Sequence, residues 1–370
     1  MIETLTGIRF PASGEFRRDF IVPEAGRCPD ALDQYDFHTL AYDAFYLPRK
    51  RAICLICPKL MNFEQLVRQG KFTSGGDALT VTSIWQYKRF AEVWLKCRER
   101  PNHLRFQYGG FDIRILVSEQ QTERFRGLNC AVLKSKDNDL HWVRDWADYH
   151  VRVHGLQGVV FFDNGSSRYE PAEIDETLRA VPGMERVQVV SAPFSFGCKA
   201  YSDTMFLQVG ILNIARRKYL SQAAGVLCTD LDELIKPIPQ ATIFSATRRS
   251  PLGYLLFRGR WRDLDPGHAG DEVRHSCHVY RSEDDACRQT KYCIDPRGLF
   301  RTSHWDVHGA VRGFLKNFMT TDKIEYWHCR QLTTNWKSKR GPCGSERLDF
   351  DWEAAGVFSA YFARQAAIAV

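Results

Sequence analysis

Gly225-Val226-Leu227-Cys228-Thr229-Asp230-Leu231-Asp232-Glu233 joins a short apolar run to a knot of acid. A small apolar run of this kind reads as a buried strand of a parallel sheet, and such sheets bind their ligands outside the carboxyl ends of the strands. Carboxylates at i and i+2 of an extended segment point the same way. Asp230 and Asp232 can therefore share one hard divalent cation while Leu231 faces the core. The spacing alone is unspecific, because Asp137/Asp139, Asp263/Asp265 and Asp349/Asp351 repeat it. Only the copy at 230 follows an uninterrupted apolar strand. Arg258, Arg260 and Arg262 break the run before Asp263, and that pair reads as part of an acceptor-binding loop.

Upstream the pattern alternates. Strands are expected at Leu128 to Leu133, Gly158 to Phe162 and Val187 to Val190, with helices at Leu140 to His154, Ala172 to Ala180 and Ser202 to Leu220. Asp139 is the expected N-cap of the first helix, and Gly155 follows its end. Regular alternation implies parallel pairing with helices on the faces, an α/β fold. Val159-Val160-Phe161-Phe162 runs into Asp163-Asn164-Gly165-Ser166-Ser167, small polar residues placed where such a sheet delivers a nucleoside. Further on, strands are expected at Gly253 to Arg260 and Ile324 to His328, with a polar loop between 262 and 285.

The first third reads as a separate small α/β unit, with strands at Arg51 to Cys57, Leu79 to Trp85 and Phe111 to Ser118 and helices at Asn62 to Gly70 and Gln86 to Arg100. Three regions follow: 1–125, an α/β extension; 126–345, the site-bearing domain; and 346–370, a helical segment with Trp352, Phe358, Tyr361 and Phe362 at near-helical spacing. Arg216-Arg217-Lys218, near a helix end, reads as a solvated face.

Composition narrows the class. Aliphatic and aromatic residues make up 44% of the 370 residues, which excludes general disorder. The longest uncharged runs, Val187 to Cys198 and Thr204 to Ala215, fall short of the roughly 20 residues a membrane helix needs, and residues 1–20 lack a secretory pattern. A cytoplasmic protein with reduced thiols is expected, at most peripheral at the inner membrane face. The net charge of +7 suits an anionic ligand.

Four blocks in order, Lys134-Ser135-Lys136-Asp137, Asp145-Trp146-Ala147-Asp148-Tyr149-His150, Phe162-Asp163-Asn164-Gly165-Ser166 and Thr229-Asp230-Leu231-Asp232-Glu233, resemble GT-A-fold glycosyltransferases of the family 2-like and family 92-like kind. Their pattern reads K-N-E, E-W-x-x-Y-H, D-N-x-S and D-x-D-E-F. Lys291-Tyr292-Cys293-Ile294-Asp295-Pro296 is similar to a later K-Y-I-x-R-P block, and Tyr326-Trp327-His328-Cys329-Arg330 to a late histidine block. The likeness covers about residues 126–340. Ser135-Lys136-Asp137 stands where N-E is usual, Asp145 where Glu is, and Asp295 where Arg is.

The resemblance implies a GT-A-type, Rossmann-like, mostly parallel sheet and transfer of a sugar from a nucleotide-diphosphate donor, a UDP-sugar first, to a glycan or glycolipid in bacterial surface polysaccharide synthesis. It implies donor contacts from Lys134, Asp137, Asp163, Asn164 and Asp230. Mn²⁺ or Mg²⁺ would sit on Asp230 and Asp232, joined by a histidine from His304, His308 and His328. Inversion needs one carboxylate to take the acceptor proton, and Asp265, Asp271 and Asp306 are all open for that role. A homo-oligomer is compatible with the sequence, and no nucleic-acid partner is expected. Two rivals stand beside this reading. One is a nucleotidyltransferase, which would release pyrophosphate and usually carries a glycine-rich loop that Lys134 to Asp139 lacks. The other is a non-catalytic, basic RNA- or polysaccharide-binding protein on the same scaffold.

Overall fold

The computed structural model describes residues 2–198, 200–268, 272–310, 320–332 and 347–362. The chain divides into two compact units: Glu3–Glu123 with Ser191–Tyr219, and Met1–Ile2, Arg124–Val190 and Leu220–Val370. The segment expected to form the helix at 202–220 thus groups with the N-terminal unit.

That N-terminal unit is built mainly from strands: β1 (Asp43–Leu47), β2 (Ala52–Pro58), β3 (Lys71–Ser74), β4 (Asp77–Leu79), β5 (Val81–Gln86), β6 (Phe90–Lys96), β7 (His103–Tyr108) and β8 (Phe111–Leu116). One sheet runs β1-β2-β6-β5 and continues at β1 into Ser118–Glu119; the other runs β8-β7-β3-β4. All pairs among β1 to β8 are antiparallel. Against the expected α/β extension, Asp43–Leu47, Lys71–Ser74 and His103–Tyr108 are strands that were not expected, and one expected helix is absent. Gln86 to Arg100 is not a helix, because Phe90-Ala91-Glu92-Val93-Trp94-Leu95 is buried on both faces and pairs with β2 and β5. Aromatic and β-branched residues at the centre of a sheet override a weak helical periodicity. The helix Phe206–Ile214 is buried on every side and packs on β2 and β6. Two of the cations that follow it, Arg216 and Lys218, are buried as well, not a solvated face. Arg216 meets Glu92 at 2.6 Å, and Lys218 meets Asp43 at 2.9 Å.

The second unit carries β9 (Asn129–Ser135), β10 (Gly158–Asp163), β11 (Arg186–Ser191), β12 (Gly225–Cys228), β13 (Glu233–Ile235), β14 (Tyr254–Arg262), β15 (Ala286–Ile294) and β16 (Thr320–Cys329). Their order is β11-β10-β9-β12-β15-β14-β16-β13. β9 is parallel to both β10 and β12, so the expected parallel alternation holds around the site. Beyond β12 the sheet is mixed. β15 lies antiparallel between β12 and β14, β14 is parallel to β16, and β13 is antiparallel to β16. The strand β15 had no counterpart in the sequence reading.

Helix Leu140–His154 ends at Gly155, whose φ of +66° is the left-handed conformation that glycine adopts without a Cβ clash. Trp146, Tyr149, Leu227, Trp327 and Phe358 belong to one core cluster, so the C-terminal helix Trp352–Phe362 packs into this core. No described helix is long and apolar enough to cross a membrane.

Two histidines of that helix are fixed as neutral rings. His154 places Nε2 at 2.9 Å from the Ile235 carbonyl, and its Nδ1 accepts from the Ile243 N–H at 3.3 Å. His150 makes the same pattern between the Trp146 carbonyl and the Ile235 N–H. A second proton would set N–H against N–H, and burial further disfavours the charge. The pKa of His154 falls to about 4 and that of His150 well below the usual 6.5. An unfolded imidazole takes its proton near 6.5, whereas the folded one resists until near 4. The stabilisation is therefore complete above pH 6.5 and is lost as pH falls toward 4, about 3 kcal/mol for His154 alone. Thermal melts at pH 7.5 and 5.0 should differ by several degrees, lower in acid; an unchanged Tm would contradict this.

Candidate functional site

The carboxyl ends of β10, β9 and β12 lie side by side, with Ser135 opposite Asp163 across the first pair and Val132 opposite Cys228 across the second. After β12 the chain turns at 229–232. The turn is closed reciprocally: the Glu233 carboxylate accepts from the Asp230 N–H at 2.8 Å, and the Glu233 N–H donates to the Asp230 carbonyl at 3.2 Å. Glu233 opens β13 and pairs across the ladder with His328 of β16, which pairs in turn with Trp261 of β14. Register thus carries His328 to the acidic turn. The Cys329 N–H donates to the Asp232 carbonyl at 2.8 Å and fixes the turn from the same strand.

Three ligand atoms converge there. One each from Asp232, Glu233 and His328 lie within 4.8 Å of one another, and all three residues are buried. His328 Nε2 stands 3.1 Å from Asp232 Oδ2, and Nδ1 stands 3.5 Å from Cys287 Sγ. The Trp261 ring stacks on the imidazole with centroids 3.9 Å apart. Burial opposes a charge on His328, but Asp232 outweighs it and raises the pKa to about 9. Burial likewise opposes ionisation of Cys287, and the adjacent imidazole holds its thiol below the ordinary value. The Glu233 carboxyl is pushed up by burial against the pull of Lys291.

Asp230 lies between two ammonium groups. Lys134 and Lys291 both donate to its carboxylate, and Lys291 also lies 3.1 Å from Glu233. Burial would lower the Lys291 pKa, but Asp230 and Glu233 outweigh it and keep the ammonium charged. Among the described residues the convergent donor set is Asp232, Glu233 and His328, with Asp230 tied to two ammonium groups. Two carboxylates and an imidazole are a fitting donor set for Mn²⁺ or Mg²⁺.

The other described candidates are not among the three convergent ligand groups. Asp137 accepts from the N–H groups of Ser167 at 2.6 Å and Arg168 at 3.1 Å, and Asp163 accepts from Ser166 N–H at 3.2 Å. Asn164 donates its N–H to Ser135 at 2.8 Å. These bonds shape the loop after β10 beside the carboxyl end of β9. His308 pairs with Thr290 through Nδ1 at 3.1 Å from its carbonyl, and His304 and His308 are both outside the convergent set. Asp265 accepts from Gly267 N–H at 2.8 Å and Asp306 from Val307 N–H at 2.6 Å, local turn contacts in each case. Asp271 lies outside the described residues. Glu233 and Lys291 stand in the quoted motifs without a separate role, and nothing in the local sequence places Cys287 or Trp261 beside them. Their place depends on β15 and β14 neighbouring β12 and β16.

No family model and no curated protein matches the sequence. Among solved structures, partial similarity is found to GalNAc-T7 with UDP, GalNAc and Mn²⁺, at 10% identity over 55% of this chain and 44% of that one, TM-score 0.28. The apo WbbM bifunctional glycosyltransferase matches at 11% identity over 52% of this chain and 36% of that one, TM-score 0.27. The match thus spans less than half of either protein. At such TM-scores the likeness carries none of the assignment below.

Proposed function

We propose that the chain is a metal-dependent glycosyltransferase that moves a sugar from a nucleotide-diphosphate donor to a glycan or glycolipid acceptor. The observation that carries the reading is the convergence of Asp232, Glu233 and His328 beside Lys134 and Lys291, next to the carboxyl ends of adjacent parallel strands. Asp232, Glu233 and His328 would hold Mn²⁺ or Mg²⁺, which when bound would neutralise charge on a leaving diphosphate. His328 must give up its extra proton to serve as a ligand.

The chain's own groups do the rest. Lys134 and Lys291, held by Asp230, stand ready to exchange that carboxylate for donor phosphate oxygens. The loop shaped by Asp137, Asp163 and Asn164 is the proposed nucleoside contact. In the transfer, the acceptor oxygen forms a bond to the sugar's anomeric carbon as the bond from that carbon to the diphosphate oxygen breaks. The acceptor's proton passes to a carboxylate, with Asp265, Asp271 and Asp306 the proposed bases, and the anomeric centre inverts. A UDP-sugar is the first donor to try, and bacterial surface polysaccharide the proposed pathway.

The test is a panel of nucleotide sugars incubated with purified protein and Mn²⁺, with products separated chromatographically. Nucleoside diphosphate release is expected. Pyrophosphate release would instead assign nucleotidyl transfer, and no turnover together with no Mn²⁺ binding would overturn the reading.

A further inference from the structure

The N-terminal unit holds a cleft of about 840 Å³ over one face of the sheet β8-β7-β3-β4. The sheet is two-sided in the ordinary antiparallel way. Phe72, Leu104, Phe106 and Ile115 point into a core cluster, and Arg105, Asp112 and Arg114 on the alternate positions are exposed. On that open face Arg105 of β7 stands directly opposite Arg114 of β8, and opposite Thr73 of β3 on its other side. Like charges directly opposite in a ladder repel. Something must offset them.

The protein offsets only one. Arg105 donates from Nε and one terminal nitrogen to the two oxygens of Asp112, whose carboxylate also accepts from Gln107 at 3.0 Å. Arg114 meets no carboxylate among the described residues, and its hydrogen bond goes to His103 Nδ1 at 3.0 Å. One guanidinium thus faces the cleft without a carboxylate partner among the described residues. The lining contains Asn102, Thr73 and His103 but no Phe, Tyr or Trp. A site for stacked nucleobases would be expected to offer aromatic platforms. A guanidinium fork fits the two oxygens of a carboxylate.

We infer that this cleft binds an acidic saccharide, with a sugar carboxylate on Arg114 and hydroxyls on Asn102, Thr73 and Asp112. The choice of a saccharide among carboxylate ligands rests on the glycosyltransferase reading, whereas the Arg114 guanidinium in the cleft stands without it. The site would hold an acidic acceptor chain by a charge that recurs along its length.

Isothermal titration of the full chain with hexagalacturonate, without donor or metal, tests this. Wild type is expected to bind; Arg114→Ala should bind at least about tenfold more weakly. Cellohexaose, neutral, should not bind. Arg114 is exposed, so the variant's Tm should match wild type and separate lost binding from lost fold. Absence of wild-type binding, equal binding by Arg114→Ala, equal affinity for cellohexaose, or tighter binding of oligouridylate would each overturn the inference. None of these readouts involves turnover. Failure of the cleft is therefore distinguishable from failure of the transferase reading.

Discussion

Asp232→Ala is expected to lower Mn²⁺-dependent release of nucleoside diphosphate by at least about 100-fold, the scale on which removal of one charge-stabilising group acts. The expectation follows from what the side chain touches. Asp232 supplies one of three convergent ligand atoms, and it is also the chief support of the charge on His328. Its loss removes a ligand and loosens the imidazole that should provide another. Mn²⁺ binding and turnover should therefore fall together. Lys134→Ala is a useful contrast, because Lys134 contacts Asp230 and lies outside the convergent set. It should weaken donor binding while leaving Mn²⁺ affinity nearly intact. Turnover in Asp232→Ala equal to that of wild type, with the same dependence on Mn²⁺, would exclude the cluster from the reaction.

The parallel strands around the acidic turn could be read from sequence because their pattern is local. Val159 to Phe162 and Val226 to Cys228 are short runs buried on both faces, and the helix Leu140–His154 carries its stop signal at Gly155. The ligand set could not be read in the same way. Asp230 and Asp232 have identical local credentials, and what separates them is Lys291 on β15, a strand whose mixed sequence Ala286-Cys287-Arg288-Gln289-Thr290 hides its place in the sheet. Likewise His328 was one of three histidines until register set it opposite Glu233. The same limit explains Gln86 to Arg100. Its charged residues suggest a helix with a wet face, yet Glu92 is buried because two arginines from 124 and 125 residues away meet it. Partners distant in sequence decide burial, and local pattern cannot name them.

Those arginines set the largest expected loss of stability. Glu92 sits in the central strand β6 and accepts from Arg216 at 2.6 Å, from Arg217 at 2.9 Å and from the Trp94 indole at 3.3 Å. Burial opposes its ionisation, but the two guanidiniums outweigh this and hold the carboxyl below its ordinary value. Burial pushes Arg216 down to about 10, still charged at neutral pH. Glu92→Ala would leave Arg216 charged, 3% exposed and without its carboxylate. Breaking a buried pair from one side costs about 3–5 kcal/mol, because the remaining charge has lost its compensation and cannot reach water. Arg217→Ala should cost much less, since Glu92 keeps Arg216 and the Arg217 side chain is 20% exposed. The double change Glu92→Met with Arg216→Met removes both charges at roughly constant volume, so it should recover most of the loss. Urea denaturation of the three variants reads this order directly. If Glu92→Ala lay within about 1 kcal/mol of wild type, the carboxylate would have to be replaced by water or by a local opening around Arg216, and the pair would count as a surface contact.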